Sequence, residues 1–254
     1  DPAFHDRIAK HTRDPLLTVV RPVQPNGVSM LLVPGGGYRW AVVDKEGMDC
    51  ARVFAAMGYT CYVLRYRLPA DGWAAGPDAP LQDAQRALRL VRAHAAGEGR
   101  APDRTVVLGA SAGGHLAGLL GARRDATYAP VDAADQHSHR PDGLILLYPV
   151  ATLTDPHAHA GSRRELLGES PAPDQIAAYS LEQMDWTGAA PTVLLHAMDD
   201  DAVPVENSLM LSATLRQAAV PVEVHLFEEG GHGFGIRLIE GRPAAVWPGL
   251  VRSW

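Results

Sequence analysis

Ser111 stands in Gly109-Ala110-Ser111-Ala112-Gly113, a G-x-S-x-G run between a strand predicted over residues 105–108 and a helix predicted over 115–121. In that setting a serine occupies a sharp, strained strand-to-helix turn with its hydroxyl exposed. Bulk at either glycine would strike the adjoining strand or helix. The helix that follows also turns its positive end toward the hydroxyl. A serine hydroxyl is a poor nucleophile until a base takes its proton. Of the 11 histidines, His232 in Gly230-Gly231-His232-Gly233-Phe234 has the best setting for that task. It follows the last predicted strand, and its glycines let the loop reach across the top of a sheet.

An imidazole acting as base needs an acceptor at its other nitrogen, to fix the tautomer and stabilise the imidazolium. Asp199, Asp200 and Asp201 follow the strand predicted over 192–196. Asp200 is the choice, three residues before Val203-Pro204 in a D-x-x-V-P turn, and Asp199 is the second choice. The order nucleophile, acid, base then matches one known arrangement of this chemistry. A tetrahedral intermediate also needs donors aimed at its oxygen. The N–H of Ala112, next to the nucleophile, is one. Gly36 and Gly37 of Pro34-Gly35-Gly36-Gly37-Tyr38 supply the others, because glycine lets the backbone approach a substrate closely.

These residues need a rigid platform. The chain has 254 residues, 46% hydrophobic and 20% charged, enough to bury a core without disulfides or metals. Short apolar runs alternate with amphipathic segments, which predicts an α/β fold: a mostly parallel twisted sheet with helices on both faces. Strands are expected over 16–20, 28–33, 59–64, 105–108, 143–148, 192–196 and 222–227. Helices are expected over 45–57, from Pro80 onward, over 115–121 and 205–218, with a closing helix over 244–254. In the second helix Leu81, Ala84, Leu88, Val91 and Ala95 form the inner face, and Gln82, Asp83, Arg86 and Arg89 are expected to face outward. Residues 123–142 read as surface loop. Residues 151–190, rich in Pro, His and acidic residues, break the rhythm and read as a short cap-like insertion over the active site. We expect one domain over 1–254.

The segments Leu32-Val33-Pro34-Gly35-Gly36-Gly37-Tyr38, Pro80-Leu81-Gln82-Asp83-Ala84, Gly109 to Ala117, His196-Ala197-Met198-Asp199-Asp200 and Gly230 to Phe234 together resemble the α/β-hydrolase fold. The resemblance is to the esterase/lipase group that contains acetyl-xylan esterases and hormone-sensitive-lipase-like enzymes, and it covers about 28–234. Pro34 stands where the lipase-like members carry His, a departure similar to the sugar-ester branch. The resemblance implies a cofactor-free serine carboxylesterase acting on short acyl esters, acetyl above all, with a small acylated carbohydrate of the plant cell wall as substrate. Two other readings stay open: a serine peptidase on the same scaffold, and a hydrolase-like binding module without activity.

Tyr38, Trp40, Trp73 and Trp186 fall in or beside predicted loops at the sheet top. Of these, Tyr38, Trp40 and Trp186 are the expected substrate contacts, through stacking on a sugar ring or lining an acyl pocket. His115, one turn after Ser111, is expected to pack beneath the nucleophile turn. The pairs His137/His139 and His157/His159 lack an acidic partner at metal-site spacing, and no metal is expected. Cys50 and Cys61 are expected as free, partly buried thiols. A net charge of −6 without a basic stripe argues against a nucleic-acid partner, and no apolar run approaches a membrane span. The start Asp1-Pro2-Ala3 lacks an initiator Met, a basic start and an apolar core. A secreted or periplasmic protein with its signal removed and a cytoplasmic protein both remain compatible with it.

Overall fold

A computed structural model describes residues 6–254, so Asp1-Pro2-Ala3 lies outside the described residues. In chain order the elements are β1 (Ile8–Ala9), β2 (Leu16–Val20), β3 (Ser29–Val33), β4 (Ala41–Val42), α1 (Asp49–Ala56), β5 (Thr60–Arg65), α2 (Ala79–Gly97), β6 (Thr105–Ala110) and α3 (Ala112–Ala122). Then come β7 (Gly143–Leu147), α4 (Ala160–Leu167), α5 (Pro173–Tyr179), β8 (Thr192–Ala197), α6 (Glu206–Gln217), β9 (Val222–Phe227) and α7 (Trp247–Ser253). Seven strands form one sheet in the order β2-β5-β3-β6-β7-β8-β9. Among the described residues of this sheet only β2 runs antiparallel, against β5, and the other pairs are parallel; β1 and β4 form a separate antiparallel pair.

The interior strands read as unbroken apolar runs because both sheet faces are covered. Every residue of β3, β7 and β8 is buried. Successive side chains leave the sheet on opposite sides and feed two separate cores. Leu31, Val33, Val107, Leu144, Leu146 and Leu194 pack with the inner faces of α2 and α3. Met30, Leu32, Leu108, Ile145, Leu147, Val193 and Leu195 pack on the other side with Phe54 and Trp247. Both thiols, Cys50 and Cys61, are free and buried in that second core. None of the helices among the described residues is long and apolar enough to cross a membrane.

Three sequence expectations need correction. Asp83 and Arg89 do not face outward: both are buried. Loops on either side cover this flank of α2. Asp83 takes a two-pronged bond from Arg67, and Arg89 reaches the His137 carbonyl and the Asp135 carboxylate. The turn at the nucleophile is also shorter than expected. β6 runs on to Ala110 and α3 begins at Ala112, leaving Ser111 alone between them. Gly113 and Gly114 therefore belong to the helix, and their role is close packing. A Cβ on Gly113 would lie 2.1 Å from the Val33 carbonyl oxygen, and one on Gly109 would lie 2.3 Å from the Gly113 oxygen. Finally, 151–190 is not uniformly a cap. Its α4 end borders the candidate site, whereas Leu181 and Trp186 belong to the core beneath α3.

Candidate active site

Parallel strands deliver their carboxyl ends to one rim of the sheet, and the loops there carry the candidate residues. Ser111 has φ 54° and ψ −123°, a conformation costing a non-glycine residue on the order of 1–3 kcal/mol. Backbone bonds hold it there: the Ser111 N–H donates to Leu147 O, and Ser111 O accepts from His115 and Val150.

The structure brings the three predicted polar residues into one chain. Ser111 Oγ lies 2.9 Å from His232 Nε2, and His232 Nδ1 lies 2.8 Å from Asp200 Oδ2. A carboxylate only accepts, so Nδ1 carries the ring proton and Nε2 is left as acceptor for the serine hydroxyl. Asp200 Oδ1 accepts from the backbone N–H groups of Ala202 and Val203, and Oδ2 also lies 3.2 Å from His196 Nε2. Burial works to raise the Asp200 pKa. The hydrogen bonds from His196, His232 and Val203 outweigh it and hold the carboxyl well below the usual range, ionised at neutral pH. Asp199 is not in this chain. Its Oδ1 accepts from the N–H groups of Gly230 and Gly231, both at 2.8 Å, and so fastens the loop that carries His232. Asp201 is exposed.

Ser111 and His232 open into a cavity of about 320 Å³, bordered by Gly36, Gly37 and Trp40 on one side and by His159, Gly161 and Arg164 on the other. A larger groove of about 660 Å³ along residues 7–14 contains none of the candidate residues. Gly36 has φ 124°, and a Cβ there would lie 2.3 Å from the Trp40 carbonyl oxygen, so only glycine fits this bend. The N–H of Gly35 is already taken by Glu46 Oε2 at 2.8 Å. Ala112 is the first residue of α3, where a backbone N–H has no acceptor within its own helix. Trp40 borders the cavity. Tyr38 and Trp186 do not: both are buried away from it. The Tyr38 hydroxyl donates to His115 Nδ1 at 2.7 Å, and the Trp186 indole N–H donates to Leu181 O at 2.8 Å. Large aromatic side chains in loops found core partners for both ring and polar tip.

Four contributors escaped the sequence reading. Glu46 is a buried carboxylate that ties the glycine loop to the Tyr148 hydroxyl. The Tyr148 ring in turn packs edge-on against His232, with centroids 5.1 Å apart. His196 is fully buried: Ser208 Oγ lies 2.7 Å from its Nδ1, while its Nε2 faces Asp200 and the Val203 carbonyl. His159 borders the cavity from the start of α4. Only His196 left a usable signal, standing four residues before Asp200 at a strand end.

A family model, BD-FAE, matches residues 22–215. The chain belongs to the BD-FAE family, an α/β-hydrolase esterase family. It is 34% identical over 207 residues to endo-1,4-beta-xylanase B of Butyrivibrio fibrisolvens, covering 82% of this chain and 32% of that protein. It is 29% identical over 218 residues to an acetylxylan esterase of Xylanibacter ruminicola, covering 84% of this chain and 42% of that one. The chain thus spans well under half the length of these two curated relatives. Among solved structures, the acetyl ester-xyloside bifunctional hydrolase of Caldicellulosiruptor lactoaceticus superposes with TM-score 0.80 at 36% identity, over 100% of this chain and 89% of that one. Esterase 2 of Thermogutta terrifontis shares the fold, with TM-score 0.73 at 24% identity over 98% and 91% of the two chains.

Proposed function

We propose that this member of the BD-FAE family is a serine carboxylesterase that removes short acyl groups, acetyl foremost, from a hydroxylated carbohydrate. The observation that carries the proposal is the unbroken hydrogen-bonded line from Ser111 through His232 to Asp200, opening into a cavity edged by Gly36 and Gly37. His232 Nε2 takes the Ser111 proton as Oγ bonds to the ester carbonyl carbon. The carbonyl electron pair moves onto oxygen, and the N–H groups of Ala112, Gly36 and Gly37 stabilise that charge. The C–O bond to the alcohol then breaks, and His232 returns the proton to the departing oxygen. Water repeats the sequence on the acyl-serine, with His232 again as base, and the free acid leaves. Asp200 keeps the imidazole in the accepting tautomer and stabilises its protonated form. No cofactor enters these steps. The relatives' printed names, an acetylxylan esterase and an acetyl ester-xyloside hydrolase, support the acetyl and carbohydrate parts.

Replacing Ser111 by Ala tests this. Turnover of p-nitrophenyl acetate and labelling by a fluorophosphonate should both be lost, with the melting temperature held because the backbone bonds that fix the turn do not involve the side chain. Substantial turnover by the variant would reject Ser111 as nucleophile. An unreactive wild-type protein would favour the binding-module reading, and cleavage of peptide anilides in preference to acetylated xylo-oligomers would favour the peptidase reading.

A further inference from the structure

His159 stands outside the Ser111–His232–Asp200 line, yet it borders the same cavity. It is the N-cap of α4: its Nδ1 accepts from the backbone N–H of Ser162 at 3.1 Å and lies 2.8 Å from the Ser162 hydroxyl. An imidazole nitrogen that accepts from a backbone N–H carries no proton, so the ring proton is on Nε2. That N–H has no partner among the described residues. Gly161 leaves room for the ring: a Cβ there would lie 3.1 Å from its Cε1.

We infer that His159 is a substrate-binding residue whose Nε2–H donates to a hydroxyl or ring oxygen on the alcohol side of the ester. The inference rests on the esterase reading and deepens it. A ligand that fills the cavity displaces the water able to reach this N–H, and the donor then needs an acceptor on the ligand. A short acyl group offers only its carbonyl oxygen, which Gly36, Gly37 and Ala112 already serve. The acceptor must therefore belong to the alcohol, and a sugar has several. Burial, then repulsion from a protonated His232, lowers the His159 pKa against the pull of Asp200, so the ring stays a neutral donor.

The capping role separates the two functions of this side chain. Asn is a good N-cap and can accept from the Ser162 N–H, but it is too short to place a donor where Nε2 lies. The test compares acetylated xylotriose with p-nitrophenyl acetate, whose alcohol carries no hydroxyl beyond the ester oxygen. In His159→Asn the ratio of kcat/KM for the sugar ester to that for the nitrophenyl ester should fall roughly five- to tenfold, the worth of one hydrogen bond, mainly through KM. In His159→Ala the ratio should fall equally while the melting temperature also drops, because the cap is lost. An unchanged ratio in folded His159→Asn, or a ratio restored by Asn relative to Ala, overturns the assignment. The wild type offers a route without variants: free xylotriose should inhibit nitrophenyl acetate turnover and shift the His159 ring-nitrogen resonance. Inhibition without that shift also overturns it. Failure of the parent reading looks different, since the wild type itself would then turn over no sugar ester, with or without turnover of the nitrophenyl ester.

Discussion

Asp200→Asn is the substitution that asks most of the proposed machinery. Four donors converge on this carboxylate: the Ala202 and Val203 N–H groups at 3.0 and 2.8 Å on Oδ1, and His232 and His196 at 2.8 and 3.2 Å on Oδ2. An amide has one accepting oxygen. With that oxygen toward the backbone, its NH₂ faces two imidazole N–H groups. His232 can then bond to the amide only by moving its proton to Nε2, where it donates to Ser111 and no longer takes the serine proton. A base held in the wrong tautomer costs about 10⁴-fold in kcat. The shifted His232 is paired again, whereas His196 keeps only the Val203 carbonyl, so one hydrogen bond to a charged group is lost, about 1.5–3 kcal/mol of destabilisation. At about 2–4 °C per kcal/mol for a chain of this size, the melting temperature should fall by several degrees. Initial rates with p-nitrophenyl acetate and a thermal melt measure both effects on one preparation. A variant within tenfold of the wild-type rate would refute the tautomer argument, and so would Asp199→Asn if it lost as much activity as Asp200→Asn.

Further expectations follow from neighbouring groups. Asp199→Ala releases the Gly230 and Gly231 N–H groups, so the His232 loop should loosen and kcat fall by about tenfold, an intermediate loss checked by the same assay. His115 is fully buried between the Tyr38 hydroxyl and the Tyr179 carbonyl, and burial pushes its pKa down to about 4. The unfolded chain binds that proton below about pH 6.5 and the folded chain does not until about 4. Stability fully present above 6.5 is therefore lost as pH falls through this window, on the order of 3 kcal/mol in all. Melting curves from pH 7 to 4 should slope less steeply for His115→Gln than for the wild type, and parallel slopes would refute the assignment of this window to His115.

The parts of this protein visible in its sequence are those where backbone geometry or burial restricts residue type. Strands buried on both faces must be apolar throughout, which is why Leu31, Ile145 and Leu194 announced their elements. Ser111 and Gly36 were legible because a positive φ and a close backbone approach exclude most other residues. The parts that stayed hidden depend on which of several polar side chains meets which partner across long sequence separations. Nothing local marks Glu46 as the carboxylate that reaches the Gly35 N–H and the Tyr148 hydroxyl, 102 residues away in the chain. Helical periodicity placed Arg89 outward, because the pattern of α2 alone does not reveal that the loop over 125–142 covers that flank. The aromatic residues illustrate the same boundary. Tyr38 and Trp40 are two positions apart in one loop, yet the first turns inward to His115 while the second borders the cavity. Tyr38 has φ 60°, and that left-handed backbone directs its ring into the core, a choice set by the fold around it and not by the residue type. Three-dimensional partners, not composition, thus decide which loop residues border the cavity.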